Sequence, residues 1–466
     1  MSPPIALEVA MTSLTQTLAR FASDPPFSQT PDGAARIIRT GIIDTVATMI
    51  AGRNERVVQI VRQHAEARRP GVAESSVLMT GQRLPAQDAA LINGTAAHAL
   101  DYDDVALQGH PSTVLVPALM AEGEAMEAAG ADLLRAYLVG YEVWAELIAR
   151  DADSHHLKGW HPTAVFGTVA AAAALCCLRR LSAEISRNAI ALSASMAGGL
   201  VANFGTMTKP FHAGRAASAG IEAVRLAMRG MTAAPDAIEH HAGFLAALSP
   251  KGNLERDRSA DDLGRNLRIL ESGLSIKKYP MCYATHRVID GIIDLARKEN
   301  IGPDDAASVN ATIGDAQASM LRNHAPTTAL EAKFSLEFAA ACALVARAVG
   351  LTQLTDGFVT SAEVRQAMGK VEISTVRTRC PIEPVFGFSD RVRIQLKDGR
   401  TLDSGEIRFA RGNAKLPLRE GELKAKFLDC VAGCTEIDAS ALYDRLAALE
   451  SASNVTDLAR REATPA

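Results

Sequence analysis

Residues 164–178 read A-V-F-G-T-V-A-A-A-A-A-L-C-C-L and run into Arg179-Arg180. This is the longest apolar run in the chain, and Gly167 and Thr168 interrupt it. A bilayer span takes about 20 apolar residues, so the run is read as a helix buried in protein. Apolar residues reach 48% of the chain, yet aromatics only 5%. With alanine abundant, that balance favours close-packed helices over a sandwich or barrel.

The rest of the first 270 residues reads the same way. Apolar spacing predicts helices over 37–51, 87–100, 113–128, 132–150, 162–181 and 214–230, mostly bounded by Gly, Pro or Asp. Asp132 is the expected cap of its helix. Ser182-x-x-Ile185 opens another helix, which ends near Gly198-Gly199.

The texture changes after about Leu274. Residues 308–313 alternate like a strand, and 371–376 are β-rich. Segments 391–396 and 401–409 flank Lys397-Asp398-Gly399-Arg400, a hairpin signal. A helix over 336–349 sits among them. Helices return over 420–431 and 439–452, followed by a polar tail from Ser453 that is expected to fray. A chain of 466 residues exceeds one ordinary core. The expected fold is mainly α. A large all-helical domain (1–274 and 413–466) holds a smaller α+β domain (275–412), inserted before the C-terminal helices.

The net charge is -4, and basic residues are not concentrated in one segment, which speaks against nucleic acid. No membrane span is expected. The start lacks the basic residues, apolar block and cleavage site of a signal peptide, so a cytoplasmic protein is expected. The seven cysteines (176, 177, 282, 342, 380, 430 and 434) form no C-x-x-C pair. Zinc ribbons and iron–sulfur cassettes are therefore disfavoured, and no metal site is expected.

Five segments concentrate reactive side chains beside turns. The richest runs from Ala97 to Pro117 and holds His98, Asp101, Asp103, Asp104 and His110. The others are 159–163 with His161, 205–215 with Lys209 and His212, 277–287 with Lys277, Lys278, Cys282 and His286, and 333–337 with Lys333 and Glu337. Helix starts with nearby cations favour anions, and without a phosphate loop the better guess is a carboxylate. Histidine and lysine can also move protons near neutral pH.

Each residue has a plainer reading. His98 lies mid-helix and reads as a core histidine. Lys277 and Lys278 read as a solvated pair. His155-His156 and His240-His241 read as surface doublets. Asp103 and Asp104 could be caps, Glu337 a helix-start carboxylate, and Cys282 a small packed residue.

Over almost its full length the chain resembles the MmgE/PrpD superfamily. The resemblance rests on Ile43-Asp44-Thr45, Asn93-Gly94, His98 to Asp104, His110-Pro111-Ser112 and Gly140-Tyr141-Glu142. It continues in Trp160 to Thr163, Thr208 to Gly214, Lys278-Tyr279-Pro280 with His286, and Lys426-Phe427. It implies a helical domain and a lid domain with the site between them, in a homodimer. It also implies cofactor-free proton transfer at the carbon beside a carboxylate of a small di- or tricarboxylate. Members include 2-methylcitrate dehydratase, cis-aconitate decarboxylase and iminodisuccinate epimerase.

Carried onto this sequence, the catalytic set is Lys209, His286, His110 and Asp101. Lys209 and His286 would act as acid and base, with Asp101 orienting a histidine. His161, Asp104, Val105, His212, Lys278 and Tyr279 would bind substrate. Val105 departs from the threonine that follows the acidic triplet in the decarboxylases and many dehydratases. The leading expectation is a dehydratase-type lyase. An epimerase, a decarboxylase and a non-catalytic carboxylate-binding dimer follow.

Overall fold

The computed structural model describes residues 13–458 except 69, 70, 152, 384 and 436. The N-terminal reading, over 1–12, and the end of the polar tail lie outside the described residues. Helices α1 (Leu14–Ser23), α2 (Asp32–Gly52) and α3 (Arg56–Ala67) come first. A small ribbon of β1 (Ser75–Ser76) and β2 (Arg83–Leu84) leads into α4 (Ala86–Ala99), α5 (Ser112–Ala125) and α6 (Gly130–Ala149). Then come α7 (Pro162–Leu178), α8 (Ala183–Met196) and α9 (Thr208–Met228).

Helix α7 is the apolar run, and every residue of it is buried. It is apolar all round, so only a position among other helices satisfies it. Helices α5, α6, α8 and α9 supply that shell. Pro162 opens it at a position where a missing N–H costs little. It stops three residues before the expected end, because Arg180 turns left-handed at φ 52°.

Helices α4 and α9 approach closely because two glycines meet. A Cβ on Gly94 would lie 2.8 Å from Gly214 Cα, and one on Gly214 would fall 2.1 Å from the Leu91 carbonyl. Two expected boundaries differ here. Helix α9 starts at Thr208 rather than 214, because Pro210 falls in the first turn, where proline is tolerated. Lys209 and His212 are thus helical, not loop, residues. Helix α6 is capped at Ala129, which leaves Asp132 inside its first turn.

The later part holds α10 (His286–Lys298), β3 (Ala306–Gly314), α11 (Leu336–Ala346), β4 (Val371–Val376), β5 (Arg391–Leu396) and β6 (Thr401–Asp403). The sheet order is β4-β3-β5-β6. Strand β3 pairs parallel with β4 and antiparallel with β5. The β5–β6 hairpin turns at Asp398-Gly399, with Gly399 at φ 93°. Strand β6 ends at Asp403 rather than 409, since Gly405 at φ 68° breaks the extended run. Helix α11 ends at Ala346 rather than 349, because Arg347 is left-handed at φ 50°. Helices α12 (Glu420–Val431) and α13 (Ala439–Ala447) then return to the helical bundle.

The fold is mainly α with a small α+β portion. One core runs from Leu14 to Ile276 and resumes at Leu423. A second, from Tyr279 to Leu396, packs α10 against β5 and α11 against β4, with the buried side chains of β3 and β5 in the same cluster. Chain passes between the two cores at Lys277-Lys278. Among the described residues, no helix is long and apolar enough to cross a membrane.

Candidate active site

The acidic turn after α4 is the centre of the polar interior. Asp101 ends the helix in the left-handed region at φ 53°, which aspartate tolerates better than most residues. The Lys209 ammonium, in the first turn of α9, donates to Asp101 Oδ1 at 2.7 Å and to His98 Nε2 at 2.8 Å. Lys277 Nζ lies 3.1 Å from Asp101 Oδ2 and 2.6 Å from its carbonyl. Burial pushes the Asp101 carboxyl up, but Lys209 and Lys277 overcome it and hold it well below the usual carboxylate range.

His98 is no ordinary core histidine. Its Nδ1 lies 2.8 Å from Asp103 Oδ1, so it carries a proton toward that carboxylate and leaves Nε2 to accept from Lys209. Burial pushes His98 down to about 3 despite Asp103, with Lys209 adding to the effect, so the ring is neutral. Asp103 is shared: His110 Nδ1 lies 3.0 Å from its other oxygen and 2.7 Å from the Asp104 carbonyl. Among the described residues His110 Nε2 has no hydrogen-bond partner, and its side chain is 12% exposed.

Leu107 and Gln108 are both left-handed, at φ 49° and 58°, between Ala106 and Gly109, which exchange two backbone hydrogen bonds. This tight turn returns the chain so that His110 faces His98, with ring centroids 4.4 Å apart. His161 caps α7 and pairs with His212 through Nδ1 atoms 3.1 Å apart. Burial, then Lys209, lowers both imidazoles. Phe204 lies over the group, 4.8 Å from the His161 ring.

The three aspartates divide their roles. Asp101 and Asp103 are ionised by their cationic and imidazole partners. Asp104 faces the bundle behind the turn, where Ser112 N and Oγ donate to it and Tyr137 bonds the same hydroxyl. Burial raises Asp104 well above the usual range, and Asp103 and Asp44 add to it. His98, Asp101 and His110 bring possible ligand atoms within 4.8 Å of one another. The Lys209 ammonium already takes the His98 and Asp101 atoms, so a cation there would have to displace it.

A family model described as the MmgE/PrpD N-terminal domain matches residues 16–257, and one for the C-terminal domain matches 279–445. The chain belongs to the MmgE/PrpD family. Curated relatives include cis-aconitate decarboxylase of Homo sapiens, 28% identical over 89% of this chain and 87% of its own length. The Mus musculus enzyme of that name is 28% identical over 89% and 86%. One from Aspergillus terreus is 24% identical over 84% of each chain.

Within this MmgE/PrpD chain, the structure brings Asp101, His110, His161, Lys209 and His212 together. His286 lies at the start of α10, wholly buried, with Nε2 3.3 Å from the Met281 carbonyl and Nδ1 without a partner. Burial, then Lys277, pushes it down to about 3. Val105 is half-buried and pairs its backbone with Ser275. Lys278 and Tyr279 turn elsewhere: Lys278 pairs with Glu422 at 2.9 Å, and the Tyr279 hydroxyl donates to Asp290 at 2.7 Å.

The Lys277 and His155 readings need correction. Lys277 is 1% exposed, so it is no solvated partner of Lys278. His155 is buried against Asp151, not at the surface. Glu337 is the helix-start carboxylate expected, in the first turn of α11, and bonds His324 at 2.7 Å. Cys282 is the small packed residue expected, a thiol raised by burial and by Asp101. Sequence reasoning left out His98, Asp103 and Lys277, whose signal was their place in the two richest segments.

Proposed function

We propose that this chain is a lyase acting on a small di- or tricarboxylate, moving a proton at the carbon next to a carboxylate. The observation that carries the reading is the Lys209 ammonium, held between the His98 imidazole and the Asp101 carboxylate. Around it, Lys209, Lys277 and Lys333 face two ionised aspartates, 101 and 103, with the His98 and His161 imidazoles neutral. Three cations against two anions favour an added carboxylate, and the start of α9 adds its dipole.

Lys209 and His98 form a proton-holding pair. In one state they are ammonium and imidazole. In the other the proton has passed to His98 Nε2, Asp103 steadies the imidazolium, and Lys209 is an amine able to act as base. His110, with its free Nε2, is a second carrier close by.

Dehydration fits this pairing best. The Lys209 amine takes the proton from carbon, the C–H electrons form the double bond, and the C–O bond breaks. A protonated His110 gives its Nε2 proton to the departing hydroxyl, and water leaves. One proton is taken and one given, so the site's charge is unchanged. Val105 does not separate the two lyase reactions, since the resemblance gives a threonine here to the decarboxylases and to many dehydratases alike. The names of the curated relatives support decarboxylation as the second reading. There the C–CO₂ bond would break, and Lys209 would return a proton to carbon.

Proton NMR in deuterated water with 2-methylcitrate, citrate and cis-aconitate separates these. Dehydration yields the unsaturated tricarboxylate, decarboxylation yields itaconate with carbon dioxide, and inversion of a centre shows as exchange without either. No exchange and no product from any di- or tricarboxylate would sink the enzyme reading. The proposed assembly is a homodimer, which light scattering would test.

A further inference from the structure

Three lysines donate to three consecutive carbonyls of the acidic turn. Lys333 reaches Leu100 at 2.8 Å, Lys277 reaches Asp101 at 2.6 Å, and Lys426 reaches Tyr102 at 2.8 Å. Helix α4 ends here, and carbonyls at a helix end lack partners and draw cations. That accounts for the placement of all three. It does not account for their charges.

Lys277 has the Asp101 carboxylate at 3.1 Å, and Lys426 has Asp44 at 2.5 Å. Lys333 is 6% exposed, yet among the described residues it has no ion pair. The Leu100 carbonyl is its one hydrogen-bond partner there. Asp101 is already held by Lys209 and Lys277. A buried ammonium without a counter-ion is costly, and an ammonium has three protons to donate. Lys333 also comes from the second core, where Ala332 and Leu336 are anchored, whereas Leu100 belongs to the first. An anion between Lys333 and the turn would join the two.

We propose that Lys333 is a substrate-binding residue whose ammonium holds a second carboxylate, one that takes no part in bond breaking. This rests on the carboxylate reading of the site above. It makes Lys333 a specificity residue: acids with one carboxylate forgo the contact, and di- and tricarboxylates gain it.

The charged groups around Lys333 fix its pH behaviour. Burial pushes it down to about 8; Asp101 and Glu55 oppose this, while Lys277 and Lys209 add to it. An anion binds the protonated form, so affinity falls as pH rises past that value.

Calorimetry on the full chain tests this with tricarballylate, an unreactive tricarboxylate, and with butyrate. Lys333→Met should weaken tricarballylate at least about ten-fold, the size of one charge-assisted hydrogen bond. It should leave butyrate unchanged, and Lys333→Arg should restore most of the loss. Unchanged tricarballylate affinity in Lys333→Met, with the wild type binding, overturns the inference alone. No binding by the wild type overturns the carboxylate reading and the inference with it. Should Lys333→Met fail to fold, the wild type's affinity from pH 7 to 9.5 decides. A fall that Lys333→Arg abolishes supports the proposal, and a flat profile overturns it.

Discussion

Lys209 Nζ lies 2.8 Å from His98 Nε2, an ammonium bonded to a buried neutral imidazole across the contact between α9 and α4. The pair couples a cation to a proton acceptor whose far side rests on Asp103. Replacing Lys209 removes both the charge and the proton route, whereas replacing His98 removes the route alone.

Lys209→Met should therefore abolish turnover, lowering kcat by at least about a thousand-fold. The side chain is buried and paired, so stability should fall as well. Breaking a buried ion pair costs about 3–5 kcal/mol, but Lys277 still neutralises Asp101, and about 1–3 kcal/mol is expected. Steady-state kinetics and urea unfolding measure the two losses. Full activity would remove Lys209 from the chemistry.

Asp103 and Asp104 are neighbours with opposite protonation. Burial raises both, but His98 and His110 hold Asp103 well below the usual range, whereas Asp104 stays well above it. Asp103→Asn should lower kcat about a hundred-fold or more by loosening the His98 tautomer, with little change in KM. Asp104→Asn replaces a neutral acid by a neutral amide and should cost less than about ten-fold. Equal losses in the two variants would refute this division.

The helices were legible because their apolar period is long and their stops are plain, as in α7. Lys209 was legible as reactive, but not as helical, because Pro210 reads as a breaker until it is seen to fall in a first turn. His98 read as core because its partner stands 111 residues away and only the Gly94–Gly214 contact brings them together. Lys277 and Lys278 are adjacent in sequence, and nothing local says which one faces inward. The convergence of Lys277, Lys333 and Lys426 on one turn is likewise a product of the tertiary fold.

The depressed imidazole of His98 makes stability depend on pH. Its folded value is about 3, below the unfolded value near 6.5, so the unfolded chain binds more protons between the two. The charging of His98 on unfolding thus removes stability as pH falls below about 6.5. His98→Asn has no such group. Its stability deficit relative to wild type should shrink by about 2 kcal/mol between pH 7 and pH 5. Urea unfolding at both pH values reads this directly, and a deficit that stays constant or grows would show that His98 is not held neutral.

Gly214 is where packing controls the site. A Cβ there would fall 2.1 Å from the Leu91 carbonyl and 2.4 Å from Thr95 Oγ1, both on α4. Backbone cannot yield as a side-chain tip does, so Gly214→Ala must push α9 away from α4. The same displacement carries Lys209 from His98. Stability should fall by at least about 2 kcal/mol, the range of an overpacked core. Activity should fall at least about ten-fold, since proton transfer needs hydrogen-bond contact. Gly421→Ala is the control: nothing lies within 4 Å of its added Cβ, inside α12. That change should leave activity intact and be neutral or stabilising by up to about 1 kcal/mol. Gly214→Ala with wild-type kinetics would show that the α4–α9 approach does not set the distance between His98 and Lys209.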